Sequence, residues 1–482
     1  MKLGQITNET ITFAFLDSEK KRGMARRMMA RYACVEDGVP IFRRKYIIAE
    51  AEQTGLINQK INVDHFSEIV DDSVGYFLGQ PVKVSINKDR YAREKSLMAK
   101  LKDAIIPSSE AKTIEEANYA LQRFGIINDI DLLNAESAKL SAIAGYSGRL
   151  TYFDAAGEIR LKNIYPDQCA FYDDCAFYFF TEYVIDGATK KEQPMCWAFD
   201  ATTLYIAKMS AGAADIIDRK GHELRGIPLI CYRNNADEHG DAFKALSLID
   251  EYDRIVSDWA NESEQFRLAF LALIGVPQEK PKDGEPTMFD NIKRYGGCYI
   301  PQGGDAKYIT KQIPHEQVVA ILSELRANIF TVTATPNPHD ANFSGNSSGV
   351  ALEYKYRPRD NKTIIKERFF TEALRETYRL ACTAMKDFGK ANVDYSSVDF
   401  GYTRNFPKNI LEEAQIQTYL DGKVPVKDRL KLCSFIADPE AAARELEGEK
   451  EDAISYVTKT TGSDLLNQGK IEDDSGREDG AA

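Results

Sequence analysis

The chain has 482 residues, 43% of them hydrophobic and 28% charged, with a formal net charge of -12. That length predicts several domains with real cores. The longest apolar run, Leu268 to Val276, is far short of the roughly 20 residues of a membrane span. The N-terminus shows no apolar region with a cleavage site, so the sequence predicts a protein that stays in the cytoplasm where it is made.

The acid surplus speaks against a tight, static grip on nucleic-acid phosphates, which calls for a basic surface. Much of the surplus is local, because residues 435–482 hold 13 acidic and 5 basic side chains. The last 26 of these, 457–482, read as an acidic disordered tail, and the remaining chain is only mildly acidic.

Taken in chain order, EKKRGMARRMMARYACVEDG reads as a basic helix with a methionine-lined face, a solvated helix rather than a membrane-surface one. In NVDHFSEIVDDSVGYFLGQ, residues Phe66, Ile69, Val70, Val74 and Phe77 fall on one helical face. Gly79 ends that helix, and PVKVSI continues as a short strand. Residues 114–146 are again helical. A strand-rich region with turn residues between its runs then occupies about 148–232, giving an α+β body.

At Arg233 the character changes. RNNADEHGD is a polar hinge, and a helix follows in which Ala245, Ile249, Tyr252, Val256 and Trp259 form a heptad-like stripe. Leu248 and Ile255 mark a second apolar line, so this helix calls for neighbours on two sides. A second helix carries Val318, Leu322, Leu325 and Ile329. Between the two lies a module of short apolar strands around a Pro/Gly/Lys/Asp loop, which predicts a stalk with a head on it.

NFSGNSSGVALEYKY follows, a flexible polar lead-in to a long helix. Pro358 must kink or reset that helix, because proline removes a donor and clashes one turn back. From Glu353 to Arg368 there are 6 basic residues (Lys355, Arg357, Arg359, Lys362, Lys366, Arg368) and 3 acidic ones. A strand-like stretch, VDYSSVDFGYTRNFPKN, leads into closing helices from Ile410 to about Tyr456.

No catalytic constellation emerges, and the sequence predicts no enzyme, cofactor or metal. The nearest approach to a phosphate-binding loop, GSDLLNQGK at 462–470, has the wrong spacing. The five histidines lie in five different segments with no HExxH, and there is no GxSxG; His65 reads as a packed or capping residue. The eight cysteines contain no CxxC pair, and CAFYDDC (Cys169 to Cys175) lacks a nearby histidine, so buried free thiols are expected. Acidic pairs such as Asp71/Asp72 and Asp173/Asp174 are too common to signal acid–base catalysis.

Several blocks, in order over roughly residues 60 to 390, resemble the portal proteins of tailed bacteriophages, the group typified by a Bacillus siphophage. They are VDDSVGYFLGQPVKV, GRLTYFDAAGEIRLKNIYPDQCAFYDD, IPLICYRNN, LIDEYDRIVSDWANESEQFRLAFLALIG and NFSGNSSGVALEYKY. The resemblance implies a ring-forming, multidomain α+β portal fold, typically of twelve subunits, at one capsid vertex of the virion. Double-stranded DNA is packaged and ejected through such a ring. The implied partners are copies of itself, the large terminase, head–tail connector proteins, and major capsid and scaffolding proteins.

Carried onto this chain, the resemblance implies an N-terminal arm at 1–24, a wing at 25–235, a stem helix at 236–265 and a clip at 266–312. A second stem helix at 313–334, a tunnel loop at 335–349, and a long helix with helical crown at 350–456 complete it. In the tunnel loop, Asn342, Phe343, Ser344, Asn346, Ser347 and Ser348 would border moving DNA, offering short neutral hydrogen bonds without a lasting charge grip. Either Ser347 or Ser348 would cap the next helix. Lys355, Arg357 and Arg359 are the expected DNA-facing cations. Ile249, Tyr252, Val256, Trp259, Val318, Leu322 and Leu325 are the expected contacts between subunits of the ring. The rivals are a different ring-shaped head–tail adaptor, a packaging enzyme, and a scaffold without a DNA partner.

Overall fold

The computed structural model describes residues 1–45, 58–87, 107–186, 189–265, 270–274, 303–309, 315–337, 349–405, 410–433, 436, 442–446 and 448. The chain divides into two units, Met1–Asp340 with Tyr356–Asn405, and Ala341–Lys355 with Phe406–Ala482. The first unit opens with helices α1 (Asn8–Asp17), α2 (Glu19–Tyr32) and α3 (His65–Leu78), strand β1 (Lys83–Ile86), and helices α4 (Pro107–Ile127) and α5 (Ile130–Ala144). Apolar side chains recurring at helical spacing give α3 its buried face, Phe66, Ile69, Val70 and Phe77. Asp64 starts α3 by accepting the Ser67 N–H at 3.3 Å, a side-chain N-cap.

Eight strands follow: β2 (Tyr146–Phe153), β3 (Ile159–Ile164), β4 (Cys169–Phe171), β5 (Ala176–Asp186), β6 (Thr189–Phe199), β7 (Thr203–Ser210), β8 (Ala213–Gly221) and β9 (Leu229–Arg233). They form a three-stranded sheet in the order β3-β2-β9 and a five-stranded meander β4-β5-β6-β7-β8, antiparallel throughout. One face of the meander buries Phe177, Phe179, Cys196 and Ala207 against Ile6, Ile11 and Ala14. The N-terminal residues expected to form a separate arm are therefore part of the sheet's own core. Asp174 fixes their start by accepting the Leu3 and Gly4 amides at 2.9 and 2.8 Å. Its neighbour Asp173 pairs with the terminal ammonium at 3.0 Å.

Helix α6 (Leu246–Gln265), strands β10 (Phe270–Ile274) and β11 (Asp305–Ile309), and helix α7 (His315–Thr333) come next. β10 and β11 pair antiparallel, from Phe270 opposite Ile309 to Ile274 opposite Asp305. Helix α8 (Gly349–Asp387) runs unbroken through Pro358, so the proline does not reset the helix. Strand β12 (Val398–Gly401) returns to pair with β1. The largest core among the described residues joins α3, α4, β1, β3, β12 and α8 through Phe77, Phe124, Ile159, Phe370, Tyr378 and Val398, among others. Each such fully buried aromatic contributes about 1.5–3 kcal/mol. The second unit contains α9 (Ile410–Leu420) and α10 (Val426–Leu430).

Candidate functional site

The expected stalk begins at a turn where two glycines admit close backbone approach. Gly145 ends α5 with φ +96°, and an added Cβ would lie 1.8 Å from the Glu238 carbonyl, so the hinge 233–241 docks directly on that helix end. Gly240 approaches the Ile143 carbonyl in the same way. Beyond the hinge, α6 and α7 pack on each other and on α3 in one cluster that includes Phe66, Ile69, Ile249, Tyr252, Leu322 and Ile329.

Three expected inter-subunit residues, Ile249, Tyr252 and Leu322, are buried inside the chain. They hold α6, α7 and α3 together and are 1%, 7% and 9% exposed, so most of their surface is already spent within the chain rather than on a neighbour. Val256, Trp259, Val318 and Leu325 are half-buried at the edge of the same cluster, as are Leu248 and Ile255 of the second line. Trp259 packs against His315, with ring centroids 5.3 Å apart. The apolar surface that α7 leaves uncovered is Val319, Ile321 and Val332, which are 44%, 50% and 45% exposed. Sequence reading missed these three. For Val319 and Ile321 the signal was the unbroken run VVAIL, too wide for a single buried stripe.

The basic stretch of α8 behaves differently from an exposed cationic belt. Arg357 is exposed and Lys355 is half-buried, but Arg359 is only 1% exposed. Its guanidinium pairs with Asp72 of α3 and donates to the Thr335 hydroxyl at 3.0 Å, just past the end of α7. Arg359 therefore does not face a channel, because it is consumed in the protein interior. Two more cations continue the stripe. Lys362 donates to the Thr333 carbonyl at 3.0 Å, and Lys366 reaches the Asp241 carboxylate at 2.6 Å and the Ser73 hydroxyl at 2.9 Å. Asn234 of the hinge donates to the other Asp241 oxygen at 3.0 Å.

One face of α8 thus ties together helix α3, the hinge, and the C-terminal end of α7. Three cations share two carboxylates, and the electrostatics reflect that imbalance. Burial pushes the Asp241 carboxyl upward, but Lys366, Lys362 and Asn234 together outweigh it and hold it below the usual range. Burial lowers both Lys362 and Lys366 despite Asp241, and it lowers Arg359 to about 10. The opposite tendencies of Asp241 and Lys366 have one cause: the acid sees two ammonium groups, whereas each ammonium competes for one acid. Arg359 also keeps two buried N–H groups, Nε and Nη1, without acceptors.

Among the described residues no group of three or more His, Cys, Asp and Glu side chains is placed to hold a metal ion. A groove of about 1010 Å³ is lined by Arg233, Arg368, Glu372, Arg375, Glu376 and Arg379, among others. Its charges largely pair with one another, Arg233 with Glu372 at 2.8 Å and Arg379 with Glu376 at 2.6 Å. Burial pushes the Cys231 thiol at its edge up to about 12, which makes it a poor nucleophile. His65 is 2% exposed and packs edge-on against Tyr252 and Phe330, a core histidine.

The tunnel-loop residues Asn342, Phe343, Ser344, Asn346, Ser347 and Ser348 lie outside the described residues, as do most of the expected clip and the acidic tail. No helix among the described residues is long and apolar enough to cross a membrane.

A model described as "Phage portal protein, SPP1 Gp6-like" matches residues 38–456. A portal protein of Clostridium phage phiCD119 is 24% identical over 445 residues, covering 87% of this chain and 91% of that one. The portal protein of Bacillus phage SPP1 is 22% identical over 256 residues, covering 52% of this chain and 48% of that protein. Among solved structures, a chain from "Neck of empty GTA particle computed with C6 symmetry" covers 80% of this chain and 92% of its own length, at 13% identity and a TM-score of 0.38.

Proposed function

This chain belongs to the phage portal proteins of the SPP1 Gp6-like family, and we propose that its copies close into a ring at a single capsid vertex through which double-stranded DNA is packaged and later ejected. The observation that carries the reading is the family match from residue 38 to 456. In this reading α6 and α7 are the stem, and the β10–β11 pair belongs to the clip that docks the large terminase during packaging and head–tail connector proteins afterwards. The polar loop 335–349 borders the DNA, and capsid and scaffolding proteins surround the ring.

The withdrawal of cations from the surface supports a conduit. Each phosphate neutralised would add salt-dependent affinity, multiplied by the number of subunits, and would hold the cargo. Arg359, Lys362 and Lys366 are instead engaged inside the protein. Of the expected three, Arg357 is the one exposed along its side chain, and it is the DNA-facing candidate. For ring closure, the half-buried Val256, Trp259, Val318 and Leu325 and the exposed Val319 and Ile321 supply apolar surface on the stem. A head-to-tail contact repeated around an axis buries such surface on every copy at once.

Negative-stain microscopy of the purified protein tests the proposal. A ring with a central hole is the expected result. A monodisperse solitary protomer at micromolar concentration overturns it.

A further inference from the structure

Residues 58–64 lie along α6 in a regular arrangement that no feature of the sequence announces. The Gln59 N–H donates to Asn261 Oδ1 at 2.6 Å, the Ile61 N–H to Ser257 Oγ at 3.0 Å, and the Val63 N–H to Asp253 Oδ1 at 3.0 Å. Every second amide of the segment meets every fourth side chain of the helix, and the two run antiparallel. The registers match physically: two extended residues advance about 6.6 Å, and four helical residues about 6 Å. Flanking contacts close the far end, where Arg44 pairs with Asp258 and the Gln59 amide side chain reaches Glu264 at 2.9 Å. Ser257 and Asp253 are 0% and 1% exposed beneath the segment.

We propose that residues 58–64 form a brace zipped onto α6, and that the ionisation of Asp253 sets how readily the brace opens. Apart from the Gln59 side chain, which reaches Glu264, the helix grips the segment by its backbone amides, so the hold depends chiefly on the three acceptors. Of these only Asp253 changes charge. The groups facing it are Arg31 of α2, Asp250 of α6 itself, Asp64 at the end of the segment, and Cys34 in the turn after α2. Arg31 is drawn away to pair with Asp250, which leaves Asp253 the buried acid with the weakest cationic support.

Burial is the largest influence on its carboxyl. The Val63 amide and Arg31 oppose it, Asp250 and Asp64 reinforce it, and the result is a value raised to about 6. Opening the brace returns the group to water and to its ordinary value of about 3.8. A carboxyl whose value is higher in the closed state favours closure when protonated. Closure is therefore strongest below about pH 4 and weakens as pH rises to about 6, with no further loss above it. The limit of the effect is the ratio of the two acid constants, roughly a hundredfold in the opening equilibrium.

Hydrogen–deuterium exchange of the full-length protein, read at single residues and expressed as protection factors, tests this. Protection of the Gln59, Ile61 and Val63 amides is expected to fall by roughly 25-fold between pH 4.5 and pH 7.5. D253N, which keeps an oxygen acceptor without a charge, is expected to hold high protection across that range. S257A is expected to lower protection of Ile61 at every pH and leave the pH dependence intact. Protection independent of pH in the unmodified protein, or a pH dependence that survives in D253N, overturns the proposal.

Discussion

The junction at Asp241 offers a test of the whole arrangement around α8. Asp241 and Lys366 are 2% and 7% exposed at their side chains and 2.6 Å apart. At that distance the gross attraction is about 6 kcal/mol for an effective dielectric near 20, most of it offset by desolvation of both ions. Removing one partner leaves the offset without the attraction. D241N strips the counter-charge from Lys366 and Lys362 together and is expected to cost about 3–5 kcal/mol. K366M leaves Asp241 with Lys362 and Asn234 and is expected to cost less, about 2–3 kcal/mol. The double variant removes both charges, so it should be less destabilised than the sum of the singles by about 2 kcal/mol. Urea titration followed by the fluorescence of Trp197 and Trp259 measures all four corners of the cycle. Singles within about 0.5 kcal/mol of the parent, or additivity within that error, would refute the reasoning. The pH limb supplies an independent reading. Asp241 is held below its ordinary value in the folded state, so its stabilisation is complete above about pH 4 and disappears as pH falls through the folded value. D241N should flatten that limb.

Three further outcomes separate the surface from the interior. R357A changes an exposed position and is expected to leave the denaturation midpoint unchanged and to alter DNA packaged per head, whereas R359A is expected to destabilise the fold by about 3–5 kcal/mol; unchanged packaging in R357A retires that cation as a DNA contact. V319D with I321D changes exposed positions, so circular dichroism should stay native while rings disappear from micrographs, and intact rings would remove this face from the interface. G145A forces a side chain into a left-handed turn against the Glu238 carbonyl. It should cost more than about 1 kcal/mol, and a melting temperature equal to the parent's would contradict the close approach of the hinge.

Helices and strands with a clean period were legible from sequence. The stripe in NVDHFSEIVDDSVGYFLG becomes α3 with the expected face inward, and KVSI becomes β1. Helix α1 was not legible, because Ile11, Phe13 and Phe15 alternate as in a strand while the local hydrogen bonding is helical. The apolar line of α6 was visible, but its partner was not: periodicity identifies a sticky face and says nothing of whether the same chain or another covers it. The buried cations were the largest miss. A basic run ordinarily marks a solvated face, and the acids that neutralise Arg359 and Lys366 stand 287 and 125 residues away in the chain. One clue was present. Positions 359, 362, 363, 366, 370, 373 and 377 share a helical face, and its later members, Phe370, Ala373 and Thr377, read as core.

Ionic contacts at such a junction do something that a greasy interface of equal area would not. Replacing a buried ion pair with well-fitted apolar side chains is often neutral for stability, so stability alone does not account for three cations on one face of α8. Position does. Adjacent residues on a helix point about 100° apart, so turning α8 by one residue would carry Lys366 off Asp241, Lys362 off the Thr333 carbonyl and Arg359 off Asp72 in a single step. Each ammonium or guanidinium would then be buried without an acceptor, at several kcal/mol apiece. Apolar side chains under the same rotation would exchange one set of contacts for another at little cost. The charged face therefore allows α8 one register against α3, the hinge and the end of α7.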